Sequence, residues 1–164
     1  MSDARRAVQL ATVGAASGLV ATTVMSGVMV GAREAGLMTE LPPHEMASKA
    51  VDETPAREEA GPQERRSLGW LSHFAFGAGT GAVYALLRDR VRTPGPAGLY
   101  GAGFALAIWA VSYMGWIPAL RLMPPADRDE PGRQPAMIVA HIVFGWVLGA
   151  LVQPRLPRRL QPEG

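Results

Sequence analysis

Four stretches of this chain contain no Asp, Glu, Lys or Arg: residues 7–32, 67–87, 97–120 and 134–154. Each reaches the roughly 20 residues that carry an α-helix across about 30 Å of hydrocarbon. Inside lipid every backbone N–H and C=O must be satisfied within the spanning structure, which favours helices for isolated apolar stretches of this length. The charges crowd into the connections and tails, so the modest mean hydropathy of +0.09 averages two unlike kinds of segment. The expected fold class is all-α: a single integral membrane domain over residues 1–164, a four-helix bundle with transmembrane helices at about 8–32, 68–87, 99–120 and 136–152. The first span follows Arg5-Arg6 but runs well beyond a signal-peptide core of about 7 to 15 residues, so it reads as an uncleaved helix.

Two of these stretches share a pattern. His73, Phe76, Gly77, Gly81 and Ala82 recur as His141, Phe144, Gly145, Gly149 and Ala150 at one constant offset. A weaker echo relates Leu37-Met38 and Pro42-Pro43 to Leu122-Met123-Pro124-Pro125. The bundle is therefore expected to consist of two tandem transmembrane hairpins. Helices two and four run in the same direction, so the repeat is parallel, about a pseudo-two-fold axis along the membrane normal.

Four crossings put both termini and the connection 88–97 on one side. That side carries Arg5, Arg6, Arg88, Arg90, Arg92, Arg155, Arg158 and Arg159 against Asp3, Asp89 and Glu163. The other side, 33–66 and 121–134, is net acidic. Basic residues in short connections near helix ends mark the cytoplasmic face, so both termini are expected in the cytoplasm, as a multi-pass protein. Trp70, Trp116, Tyr84 and Tyr100 fall near span ends and read as interface anchors. Trp109 and Trp146 lie deeper and read as packing residues. In the outer acidic loop 33–66, Pro43 can start a short surface helix that Thr54-Pro55 would end, and residues 57–66 read as a solvated, flexible linker.

Gly14 and Gly18, Gly27 and Gly31, Gly77 and Gly81, and Gly145 and Gly149 repeat the small-xxx-small (GxxxG) spacing that lets helices approach closely in lipid. Gly77-Ala78-Gly79-Thr80-Gly81 is no phosphate loop, because no strand precedes it and it sits within a helix. His73 and His141 are the in-span groups that titrate near neutral pH, and polar groups inside a membrane are costly enough to suggest use. Each shares a helix face with its glycines. They can bond to a neighbouring helix, form a proton or small-solute path, or hold a haem b between them where the glycines leave room. A metal site completed by His44 is a further candidate, although no metal-ligand spacing stands out. No HExxH and no nucleophile–base pair occurs. With no cysteine, disulfides and thiol chemistry are excluded, and the arginines are not interleaved with aromatics as nucleic-acid binding requires.

Three stretches, 71–86, 109–125 and 137–151, carry a resemblance. They hold Ser72-His73-Phe74-Ala75-Phe76-Gly77, Tyr113-Met114-Gly115-Trp116-Ile117-Pro118 and Ala140-His141-Ile142-Val143-Phe144-Gly145, and they resemble the YagU-like family of bacterial inner-membrane proteins. That resemblance implies a small four-span protein without an assigned substrate or cofactor, with an association to acid tolerance. The expected function is non-enzymatic, an accessory or partner-binding membrane subunit whose partners are the lipid bilayer and another membrane protein or a second copy of itself. Proton or small-solute permeation through His73 and His141 is the alternative, and a bis-histidine haem electron carrier the third.

Overall fold

The computed structural model describes residues 2–91 and 95–153, without the side chains of Ala56 and Ala126. Arg92, Arg155, Arg158, Arg159 and Glu163, which weighed in the orientation argument, lie outside the described residues. Five helices and no strands occur among those described. They are α1 (Asp3–Glu34), α2 (Pro42–Asp52), α3 (Pro62–Arg90), α4 (Ala97–Ala119) and α5 (Arg133–Val152).

Local signals account for the ends. Ser2 caps α1 by accepting from the Arg5 N–H, and Asp3 adds a negative charge where the helix dipole favours one. Gly36, at φ 77°, turns the chain out of α1 while the Leu37 N–H donates to the Ala32 carbonyl. The end of α4 repeats this closure: Arg121 takes the left-handed conformation at φ 57° and the Leu122 N–H donates to the Ile117 carbonyl. Pro42 and Pro43 occupy the first turn of α2, where a missing N–H costs nothing. Within α4, residues Ser112–Trp116 widen into a π turn, with the Ile117 N–H reaching Ser112 five residues back. Pro118 follows directly; it has no N–H to give, and the wider turn relieves its clash with the preceding carbonyls.

Close backbone contact organises the packing. The antiparallel helices α1 and α3 meet at Gly14 with Gly81 and at Gly18 with Gly77. Helices α4 and α5 meet at Gly101 with Gly145 and at Ala97 with Gly149. A Cβ on Gly81 would lie 2.8 Å from the Gly18 Cα, and one on Gly145 would lie 2.6 Å from the Ala102 Cα. Helix α5 also packs on α1, and the core runs between them through Ala21, Ala85, Ala140, Leu148 and Val152. The outer faces are apolar: Val8, Leu71, Val111, Met114 and Leu120 are each more than 60% exposed.

Three helices are long and apolar enough to cross a membrane: α1, α4 and α5, with hydropathies of 1.7, 1.4 and 2.1. The expected second span, α3, is not among them, although it is 29 residues long. Its stretch without charges holds Gly69, Trp70, Ser72, His73, Gly77, Gly79, Thr80, Gly81 and Tyr84, which lower its hydropathy without making it hydrophilic.

Several local expectations are corrected. Residues 57–66 are not a free linker: α3 already begins at Pro62, with Glu64 accepting from the Gly61 N–H at 2.7 Å. The Arg65 guanidinium donates to the carbonyls of Ser48, Arg57 and Ala60 and to Asp52, fastening the end of α2 to the start of α3. Gly27 and Gly31 pack against nothing, since a Cβ on either would meet no atom within 4 Å. Tyr84 is no interface anchor; it is 2% exposed and packs on Phe104. Trp70 is half-buried against the core, Tyr100 lies under the Arg88 guanidinium, and Trp116 remains exposed. Trp109 does pack on the core, whereas Trp146, expected to do so, is 51% exposed.

Candidate functional site

A cavity of about 210 Å³ opens among all five helices, in the half of the bundle that carries the two long loops. Helix α1 contributes Thr22, Met25 and Met29 from its second half, and α3 contributes Ser72, His73, Phe76, Gly77 and Thr80 from its middle. The side chains from α4 run from Ala105 through the π turn to Ile117, and those from α5 are Met137, His141 and Phe144. Helix α2 covers the loop end with Pro42, Pro43 and Met46. Toward the termini the lining stops at Thr22, Thr80, Ala105 and Phe144. Beyond that level Tyr84 of α3 packs on Phe104 of α4, 5.2 Å between ring centroids, and Ala21 and Leu148 fill the space between the helices. The site is thus a cup with its floor near mid-bundle.

His73 of α3 and His141 of α5 both line this cup. The Nδ1–H of His141 donates to the Met137 carbonyl, one turn earlier, at 2.7 Å. A carbonyl can only accept, so the proton sits on Nδ1 and Nε2 carries a free lone pair. The Nε2 of His73 is buried without a hydrogen-bond partner. Its ring packs edge-on to Phe74 and beside Trp70. Two imidazoles therefore reach one cavity with a nitrogen on each uncommitted to another helix, unlike the helix-to-helix bonds that would make them purely structural.

His44 does not join them. It lies behind Trp70, 5.0 Å between ring centroids, while Trp70 in turn lies 6.1 Å from His73. It also fills the notch at Gly69, where a Cβ would lie 2.8 Å from the His44 Cδ2. Burial lowers its pKa below the usual imidazole value, Glu40 opposes that shift, and Arg66 and Arg33 reinforce it. Among the described residues no group of three or more His, Asp or Glu is placed to hold a metal. The room for a flat macrocycle expected beside the glycines is also taken: Gly77 abuts Thr22, Gly81 abuts Gly14 and Gly18, and Gly145 abuts Gly101.

An ionic cluster at the mouth of the cup escaped the sequence reading. The Arg133 side chain, 3% exposed, bonds Glu45 of α2 at 2.9 Å, Asp129 at 2.9 Å and Glu130 at 2.5 Å. The Tyr113 hydroxyl, from the π turn, donates to Asp129, and Glu130 accepts from the Thr39 N–H at 2.7 Å. Tyr113 also stacks on Trp109, 5.5 Å between centroids, and both rings line the cavity. One arginine thus ties α2, α4, α5 and both loops together while facing three carboxylates. The signal present in the sequence was Asp129, Glu130 and Arg133 at helical spacing.

A family of unknown function, DUF6789, matches residues 8–161. No curated protein and no solved structure matches the chain.

Proposed function

We propose that this chain, which belongs to the DUF6789 family, is a four-span membrane protein that binds a small guest in the cup between His73 and His141, with α3 as the fourth crossing. The single observation that carries this reading is the cavity itself: apolar-walled, closed on one side by the packed core at Tyr84, Phe104 and Leu148, and holding an uncommitted nitrogen on each of two histidines. Ligand sites are typically concave and mostly apolar, with a few placed polar groups. At 29 residues α3 extends about 43 Å, enough to span with the partner it packs against. With the YagU-like resemblance goes a bacterial inner membrane, and Arg5, Arg6, Arg88 and Arg90 at the termini end support cytoplasmic termini.

Duplication of a two-helix module belongs to the same proposal. Gly14 and Gly18 of α1 correspond at one offset to Ala97 and Gly101 of α4, and they face Gly81 and Gly77 as those face Gly149 and Gly145. The paired left-handed closures at Gly36 and Arg121, each followed by Leu-Met, fit the same relation. The cup then lies between the two modules, with one histidine from each. The packed core beneath it, at Tyr84, Phe104 and Leu148, favours a binding site over an open pore.

The chain has no cysteine, so single thiols report directly. Ser112→Cys, in the cup wall, is expected to react with a small methanethiosulfonate added at the loop face. Leu148→Cys, fully buried in the other half, is expected to stay unreactive. An unreactive Ser112→Cys in folded protein rejects the binding reading.

A further inference from the structure

The cup's walls are unusual in their sulfur. Five of the chain's eight methionines line it: Met25, Met29, Met46, Met123 and Met137. They come from α1, α2, the loop after α4, and α5, so no single helix face accounts for the cluster. Met25 and Met29 are one turn apart on α1, and Met137 is one turn from His141 on α5. Counted from the loop ends of the helices, Met29, Met46, Met123 and Met137 stand nearer the mouth, and Met25 with the two histidines stands deeper. Methionine also serves as adaptable core filler. Filler of that kind would be spread through the core, yet the termini half is built from Ala85, Leu148 and Val152 and holds no methionine among the described residues.

No Asp, Glu, Lys or Arg lines the cup. A hard divalent ion would therefore find neither the oxygen ligands nor the counter-charge it needs. Thioether sulfur and neutral imidazole nitrogen are instead the donors that select a soft ion such as Cu(I). A single positive charge also costs less to desolvate there than two. Outside the cup, at its loop end, the cluster of one arginine and three carboxylates carries excess negative charge, which favours a nearby cation over an anion.

We propose that the cup binds a soft monovalent metal ion, Cu(I), through methionine thioethers of the α1 and α5 walls and the free imidazole nitrogens of His73 and His141. This inference rests on the binding reading above and names the class of guest. Binding involves no change of oxidation state; the ion exchanges its solution ligands for sulfur and nitrogen.

The test uses the full chain in lipid nanodiscs, titrated anaerobically with Cu(I) against a chromogenic Cu(I) chelator. Retention of one Cu(I) per chain is expected. Met25→Leu with Met137→Leu should weaken it by about tenfold or more, as should His73→Gln with His141→Gln. Leucine nearly conserves methionine volume, so thermal stability should be kept. Met114→Leu, on the exposed outer face, should leave binding unchanged, and Zn(II) should not compete. A second readout is the methionine methyl NMR signal on adding Ag(I), which should move for Met25 and Met137 and not for Met114. No retained Cu(I), or retention indifferent to the paired variants, overturns the inference. If Ser112→Cys still reacts while Cu(I) fails to bind, the cavity reading survives and the metal falls; if Ser112→Cys is unreactive, both fall.

Discussion

Gly101→Leu is expected to abolish the folded bundle, the largest effect of any single substitution here. A Cβ at Gly101 would fall on the Gly145 carbonyl oxygen and within 3.0 Å of the Gly149 nitrogen, so the obstacle is backbone, which cannot rotate away as a side chain can. Overpacking ordinarily costs about 1–3 kcal/mol when neighbours can shift. Here α4 and α5 would have to separate along the contact that joins them, and in lipid their association depends on that close fit. Loss of the monodisperse species, or a fall in Tm of about 10 °C or more, is the outcome to look for in detergent. Gly27→Leu is the control: with nothing within 4 Å of a Cβ there, it should stay within about 0.5 kcal/mol of the parent. A stable Gly101→Leu protein would mean that α4 and α5 do not meet as described.

Arg133→Leu is expected to be nearly as damaging, for an electrostatic reason. Among the described residues the arginine is the one cation bonded to Glu45, Asp129 and Glu130, and the Asp129 side chain is 1% exposed. Removing one partner of a buried ion pair costs about 3–5 kcal/mol, chiefly because the remaining charge is left unpaired. A lysine at 133 should recover only part of the loss, since a compact ammonium cannot match the forked geometry that serves three carboxylates. Adding Glu45→Gln and Asp129→Asn to Arg133→Leu should restore stability partway, because the defect is stranded negative charge. Thermal unfolding measures both, and hydrogen exchange across 42–52 should show α2 loosening, because Glu45 is its link to α5. Wild-type stability in Arg133→Leu would contradict a buried, obligatory cluster.

The helices were legible because lipid-compatible segments exclude charge, and the gaps between charges bound α1, α4 and α5 to within a few residues. Small-residue spacing was a weaker guide. It marks a helix face but not whether a neighbour stands opposite. Gly27 follows Gly14 by 13 positions, about 220° further round α1, and looks away from the bundle. The two histidines were placed at one depth by their shared offset, and they do line one cavity. The methionines around them were not seen as a set, because Met46 comes from α2 in the first long connection and Met123 from the second, and no periodicity shows which residues of two connections meet. The Arg133 cluster stayed hidden for a related reason: Glu45 and Tyr113 reach it from distant parts of the chain. The widened turn at 112–116 is explained by Pro118 only once the helix is known to continue past it.

The account depends most on α3 crossing the membrane, since only then is the cup an intramembrane site shared between two modules. Single cysteines at Glu59, before α3, and at Val91, after it, should be labelled by an impermeant maleimide from opposite faces of oriented vesicles. Labelling of both from one face would show that α3 does not cross, and would take with it both the four-span arrangement and the site built upon it.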